Sequence, residues 1–395
     1  MEPVTARVTF PAGRSAHPTP DWSDGLVVWA AMGLSFYLLL LCIVSGLVSG
    51  VMAMRRKAVL GAAVAMLVGI AGTIGANRLW PLDGFGLIHV FYLAAVVSLP
   101  MFLVGGWFGL RRDDRAPRSR WLLPAVATSI VAVGIYATHI EPYRLEIVRE
   151  QIVSAQISEP VRIVVLSDIQ NSSVGDYEYE VMDAIIAEEP DLVLMAGDLW
   201  QLPPWEWPQQ IHDFEDLLAY LLEGVPGLVM VDGDSDWPDG YDQLVQRVGP
   251  RSLFLFDETS ETFVGDQRVV IGGAARGEDN SPAERAVLET LVAAPDDALT
   301  ILLGHRPAVV FRPDASDGID LVVAGHTHGG QVSVPFFGPP ITFSEVPREV
   351  AAGGLHEVDG VPIFVTRGVG MERHQAPQLR FNVRPSIGVI DFVPD

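Results

Sequence analysis

Six residues carry the chemistry this sequence can offer: Asp168, Asp198, Asp234, His305, His326 and His328. Each follows closely on a short, β-branched apolar run. The runs 161–166, 191–196, 227–231, 299–303 and 319–324 lead into Ser167-Asp168-Ile169-Gln170, Gly197-Asp198, Gly233-Asp234-Ser235-Asp236, Gly304-His305-Arg306-Pro307 and Gly325-His326-Thr327-His328. Carboxylates and imidazoles are the usual oxygen and nitrogen donors for Mn, Fe or Zn. A glycine before the polar group, present in four of the five, permits a tight turn and close backbone approach. One Gly-Asp after a strand is an ordinary turn. Five such ends delivered to one sheet edge point to a metal centre, with a polar rim of mutual hydrogen bonds as the alternative.

The elements that must position these groups follow from periodicity. The five runs suit strands buried on both faces. Between them Val181, Met182, Ile185 and Ile186 line one helix face, and Ile211, Phe214, Leu217, Leu218, Leu221 and Leu222 line another. Ser281, Pro282 and Glu284 supply an N-cap, a first-turn proline and a capping-box partner for a helix running to about residue 293. The stretch 261–274 predicts a hairpin turning at Gly265-Asp266. Alternation of this kind predicts an α/β sandwich over 141–395 with ligands beyond the strand C-termini.

Upstream the composition changes. Residues 1–140 carry 11 Lys and Arg against 6 Asp and Glu, whereas 141–395 carry 15 Arg against 43 Asp and Glu, within a net charge of −23. So acidic a C-terminal part argues against nucleic acid as a partner and suits divalent cations. Residues 1–24 are polar and rich in Pro and Ser, a disordered arm and not a cleaved signal peptide. Four apolar stretches follow at 25–53, 58–76, 84–110 and 121–139, each near the ~20 residues that cross a hydrocarbon core. Residues 25–140 therefore predict a four-helix transmembrane region with the lipid bilayer as partner. Arg55, Arg56 and Lys57 follow the first stretch, and Arg111, Arg112, Arg115, Arg118 and Arg120 crowd the third connection. The positive-inside bias makes those loops cytoplasmic and the acidic domain extracytoplasmic. His89 has no acidic partner within the spans and reads as an interfacial residue. Cys42 is alone, so no intrachain disulfide forms.

The strand-end motifs resemble those of the calcineurin-like metallophosphoesterases, in order and spacing, over 161–331. The tail Thr366-Arg367-Gly368-Val369-Gly370, Arg384-Pro385 and Glu141-Pro142-Tyr143-Arg144-Leu145 are similar to the membrane-anchored bacterial branch. The resemblance implies a four-layer αββα sandwich holding two divalent metals (Mn, Fe, Zn or Mg) and hydrolysing a phosphoester substrate. It implies that Asp198 bridges the metals, that Asp168 and His328 hold the first, and that Asp234, His305 and His326 hold the second.

Three positions depart from the family pattern; one, Asp234 in place of an asparagine, keeps an oxygen ligand and adds a negative charge. Gln170 stands where the first motif has histidine, leaving the first metal short of a good ligand. Ser235 stands where the third motif has the histidine thought to steer phosphate and protonate the leaving group. Asp236 or His374 could supply an acid instead. Trp200, Trp205, Trp207 and Trp237 fall in the loops beside the metals, suiting either a lid for an amphipathic ligand or packing under a loop stiffened by Pro203, Pro204 and Pro208. The expectation is a membrane-anchored phosphoesterase, with a catalytically impaired metal-binding sensor or binding module as the alternative.

Overall fold

The computed structural model describes residues 25–55, 57–79, 81–111, 118–201, 207–236, 244, 246–274 and 281–395. The N-terminal arm, Pro203, Pro204, Trp205 and Trp237 lie outside the described residues, as do the side chains of Trp207 and Pro208. The chain divides into two compact units, Glu141–Met371 with Arg380–Asp395, and the helices up to Ile140 with Glu372–Leu379.

The first unit contains twelve described strands: β1 (Glu146–Ser154), β2 (Val161–Leu166), β3 (Leu192–Ala196), β4 (Leu228–Val231), β5 (Ser252–Phe254), β6 (Glu258–Val264), β7 (Gln267–Ala274), β8 (Ala298–Gly304), β9 (Leu321–Ala324), β10 (Gly354–Val358), β11 (Val361–Val365) and β12 (Ser386–Pro394). They form two six-stranded sheets, ordered β1-β12-β2-β3-β4-β5 and β10-β11-β9-β8-β7-β6. Period-two alternation decides which layer each residue joins. Ile163, Val165, Leu192 and Leu194 point inward against Ile271, Ile301, Leu303, Val323 and Phe364 of the other sheet, forming the central core. Their neighbours Val164, Leu166, Val193 and Met195 point outward to the helices Asp176–Ala187 and Trp207–Gly224, meeting Val181, Ile185, Phe214 and Leu218. On the far side Val270, Leu302 and Val322 pack with Val287 and Leu291 of the helix Pro282–Val292. The result is the four-layer αββα sandwich.

The expected hairpin is β6–β7, paired antiparallel from Glu258↔Gly273 to Val264↔Gln267. Ser281 caps its helix by accepting the Glu284 N–H at 3.0 Å. The Glu284 carboxylate, however, accepts from Arg312 Nε at 3.0 Å; a buried ion-paired position outcompetes the reciprocal capping bond. The parallel pairing of β1 with β12, from Glu146↔Ser386 to Ser154↔Pro394, closes the first sheet around the chain's C-terminal end.

The second unit holds helices Gly25–Met54, Ala58–Leu79, Gly84–Leu93 continued through a π turn to Leu99–Arg111, and Leu122–His139. Three stretches are long and apolar enough to cross a membrane: Tyr37–Met54, Gly84–Arg111 and Arg118–Tyr143. A further apolar stretch, Ala63–Gly75, lies within the 22-residue helix Ala58–Leu79, where the second of the expected spans falls. Glycine lets the first and third spans approach closely: a Cβ on Gly105 would collide with Gly50 backbone. Gln375 belongs to this unit, donating to Pro81 O at 2.9 Å and accepting from the Asp83 N–H at 3.3 Å. His89 Nδ1 lies 3.1 Å from Gln375 O, which gives that residue a structural partner.

Candidate metal centre

β2, β3 and β4 run parallel in one sheet, and β7, β8 and β9 run parallel in the other. Their C-terminal ends therefore share an edge in each sheet, and the polar groups meet there. Packing is tight enough to require glycine at two joints. A Cβ on Gly325 would strike Ser167 Oγ, and one on Gly233 would strike the Asp198 carboxylate. Asp168 (φ 50), Gln170 (φ 42), Asp198 (φ 55), His326 (φ 69) and His328 (φ 48) all occupy the left-handed region. Non-glycine residues there cost free energy, and such strain gathers at functional sites.

One donor set is Asp234, His305 and His326, whose ligand atoms lie within 4.8 Å of one another; a second is Asp168, Asp198 and His305. His305 is fully buried, and its Nδ1 is 2.8 Å from Ala196 O. A carbonyl only accepts, so the proton sits on Nδ1 and the Nε2 lone pair is left free. That Nε2 is buried without a hydrogen-bond partner, 3.5 Å from Asp198 Oδ2 and 3.7 Å from Asp234 Oδ2. A backbone-oriented imidazole with its other nitrogen unpartnered among carboxylates is the usual arrangement of a metal ligand. His326 Nδ1 stands 3.0 Å from Asp234 Oδ2.

The electrostatics of the two sets differ. Burial, then the neighbouring Asp198 charge, pushes Asp168 well above the ordinary carboxylate range. Burial likewise pushes Asp198 up to about 7, against the opposing hydrogen bond from the Ser235 N–H. Burial also acts to raise Asp234, but His326, His305 and Arg306 together outweigh it and hold it below the usual range. Arg306 Nε reaches both Asp234 oxygens, at 3.1 and 3.0 Å. Two adjoining buried carboxylates that resist ionisation are what a divalent cation would relieve. The residues present thus fit divalent-metal binding.

Residues 161–330 match the model of the family described as calcineurin-like phosphoesterase. They form a calcineurin-like phosphoesterase domain. The chain is 28% identical over 302 residues to an uncharacterized metallophosphoesterase of Bacillus subtilis, YkuE, covering 71% of this chain and 98% of that protein. It is 29% identical over 300 residues to phosphodiesterase YaeI of Escherichia coli, covering 70% of this chain and 99% of the relative. A dimetal phosphatase structure from Danio rerio is similar at a TM-score of 0.33 and 11% identity, covering 55% of this chain and 89% of that one, too loosely to inform the site. The comparisons support a metal-dependent phosphoric ester hydrolase.

Within this phosphoesterase domain His328 stands apart from both donor sets. Its Nε2 is 3.7 Å from Asp168 Oδ1, while its Nδ1 lies 3.4 Å from a guanidinium nitrogen of Arg380. A guanidinium only donates, so this contact places the His328 proton on Nε2, the nitrogen facing Asp168. Ligation through Nε2 requires the other tautomer and release of Arg380. Burial, followed by Arg380, holds His328 well below its ordinary pKa.

The divergent positions are occupied by hydrogen bonds. Gln170 Nε2 donates to Asp198 Oδ2 at 3.1 Å. Ser235 N–H donates to Asp198 Oδ1 at 2.8 Å, and its hydroxyl donates to Trp200 O at 2.7 Å. Asp236 is a structural cap: its carboxylate accepts from the N–H groups of Asp198, Gly233 and Trp200 at 2.7, 2.9 and 3.3 Å. His374 is exposed, on the Glu372–Leu379 segment of the helical unit. Trp200 is fully buried against Phe214, so it packs and forms no lid.

Arg306 and Arg380 escape the reading of donor types. Arg306 could be found, since it adjoins His305. Arg380 carries no such signal between Leu379 and Phe381, yet it is fully buried and donates to the carbonyls of Arg367, Gly368 and Gly370 at 2.9, 3.2 and 2.5 Å.

Proposed function

We propose that the chain is a membrane-anchored, two-metal phosphoesterase with an extracytoplasmic catalytic domain, acting on a phosphate diester or monoester carried by a lipid. The observation that supports it most is His305, buried, fixed by Ala196 O, and presenting an unpartnered Nε2 to Asp198 and Asp234. In this reading Asp234, His305 and His326 hold one cation, Asp168 and His328 hold the other, and Asp198 lies between. The cations supply Lewis acidity for the phosphoryl group and acidify the attacking water. Asp236 fixes the Asp198 backbone, and the Ser235 N–H orients the Asp198 carboxylate. Because Ser235 offers a hydroxyl already directed at Trp200 O, the departing oxygen receives no proton from an imidazole at this position. The site therefore favours leaving groups that carry their own charge. The E. coli relative is a phosphodiesterase by name, which makes diesters the first substrates to try.

Purified full-length protein, assayed with chromogenic diesters and monoesters across Mn, Mg, Zn and Fe, is expected to turn over the activated esters. Asp198→Ala and His305→Ala abolish that activity. Absence of turnover with every metal, in protein that binds them, sinks the reading and leaves a metal-binding module.

A further inference from the structure

Directly after His328 the chain forms a compact apolar turn. Val332 bridges Phe381, Val334 bridges Gly338, and the Phe337 and Gly338 N–H groups both return to Val334 O, at 3.0 and 2.9 Å. This ordered backbone does not bury its side chains. Phe336 is fully exposed, at 110%, while Phe337 is 57% exposed and Val334 and Ile341 are each 44% exposed. Elsewhere in this unit exposed large apolar residues, such as Val153, Tyr220, Phe263 and Val292, are scattered along the chain. Four within eight residues concentrate exposed apolar side chains on one turn, as interaction surfaces do. Arg348 stacks its guanidinium over the Phe337 ring, with Cζ 4.4 Å from the centroid, and donates to Phe337 O at 3.4 Å. An aromatic tip with a cation at its flank suits the boundary between acyl chains and phosphate headgroups.

Chain continuity supplies the occupant. The base of the turn is held by Phe381, whose N–H donates to Gln331 O at 2.8 Å and whose carbonyl accepts from the Ser333 N–H at 2.9 Å. Phe381 follows Leu379 by two positions, and Leu379 ends the segment grouped with the helices. In that segment Gln375 is bonded at Pro81, Asp83 and His89, where the apolar stretch Gly84–Arg111 begins. Along the chain, two positions thus separate the base of the turn from the end of the segment bonded where an apolar stretch starts. Its tip, Phe336, lies eight residues beyond His328 in sequence.

We propose that the turn Val334–Ile341 inserts Phe336 and Phe337 into the bilayer crossed by the chain's own helices, bringing the phosphoesterase centre to phosphoesters held at headgroup depth. This rests on the membrane-anchored reading above.

The test uses full-length protein in proteoliposomes of phosphatidylcholine and phosphatidylglycerol. The single cysteine is buried, so Cys42→Ala leaves a background for one label at a time, by Phe336→Cys, Phe91→Cys or Asp266→Cys. Phe91 is exposed on a candidate span and Asp266 sits in the β6–β7 turn. An environment-sensitive fluorophore at 336 is expected to be quenched by doxyl lipid and shielded from iodide, as at 91, with the opposite result at 266. If 91 is quenched but 336 behaves as 266 does, the inference falls and anchoring stands. Failure of quenching at 91 overturns the anchored reading and this one with it. Shielding at 336 that persists in detergent and grows with protein concentration identifies a second copy as the occupant, and also overturns the proposal. In the Phe336→Asp, Phe337→Asp variant, turnover of a bilayer-embedded phosphoester is expected to fall tenfold or more, with a soluble chromogenic ester unaffected. Equal loss on both substrates refutes a role in reaching lipid.

Discussion

The most searching perturbation is Asp198→Asn, read as stability against pH in protein stripped of metal. Asp198 is 2% exposed and titrates at about 7 in the folded chain, against 3.8 when unfolded. Between those values the folded state keeps a proton that the unfolded state has released. Its contribution to stability is therefore fully present below the unfolded value and is lost as pH rises toward 7. The displacement corresponds to about 4 kcal/mol, and Asp168, raised by burial and by Asp198, adds in the same direction. Asparagine does not ionise, so metal-free Asp198→Asn should exceed wild type by only about 1 kcal/mol near pH 4.5. At pH 7.5 it should melt higher by roughly 10 °C, at about 2–4 °C per kcal/mol for a domain of this size. Saturating Mn should reverse the order, since an amide is a poor replacement for a carboxylate between cations. Thermal melts in detergent across pH 4.5–8, with and without metal, test this. Parallel curves for the two proteins in the metal-free series would refute the claim that Asp198 is a buried carboxylate awaiting a cation.

Three further outcomes follow from named contacts. Ser235→His restores an imidazole beside the departing oxygen and should raise the rate on esters with poor leaving groups by about 100-fold or more; activated esters should change little, so the leaving-group dependence flattens. Gln170→His replaces an amide, now donating to Asp198 Oδ2, by an imidazole and should tighten the weaker metal equivalent roughly tenfold, about 1.4 kcal/mol, measured by titration calorimetry. Arg380→Met leaves the buried carbonyls of Arg367, Gly368 and Gly370 without their guanidinium donor, at a cost of about 3 kcal/mol. Hydrogen exchange should then accelerate at the N–H groups of Val369 and Gly370, which hold Ser167 O and Asp168 O.

What could be read from sequence was local. A β-branched run followed by glycine and a donor marks a strand end, and β2, β3, β4, β8 and β9 all lie where such runs occur. Ser281 also had its whole signal within four residues. Illegible features depend on distant partners. β1 and β12 pair across 240 residues, and neither strand's composition specifies a parallel neighbour. Glu284 turns to Arg312 because both are brought into a shared buried position. Asp236 could not be assigned between acid and cap until the backbone N–H groups of Asp198 and Gly233 converged on it. No residue adjoining Arg380 marks it as buried, and only the fold encloses it.

These contacts give the divergence at Gln170 a physical consequence. Where a first-motif histidine would offer a lone pair, Gln170 offers an N–H to Asp198 Oδ2, which already faces His305 Nε2 at 3.5 Å. That N–H satisfies part of the Asp198 charge in the absence of metal and must be displaced for a cation to take the same oxygen. Arg380 acts similarly on His328, directing a donor at Nδ1 and fixing the proton on the nitrogen that faces Asp168. Binding at the Asp168 side therefore requires breaking two hydrogen bonds and shifting one proton. At the other side Asp234 stays ionised and His305 presents a ready lone pair, so the only bonds to yield are those of Arg306 and His326. The two cations should consequently bind in sequence, with the Asp234–His305–His326 side filled first and the Asp168 side second, accompanied by proton release that grows as the pH falls from 8 toward 6.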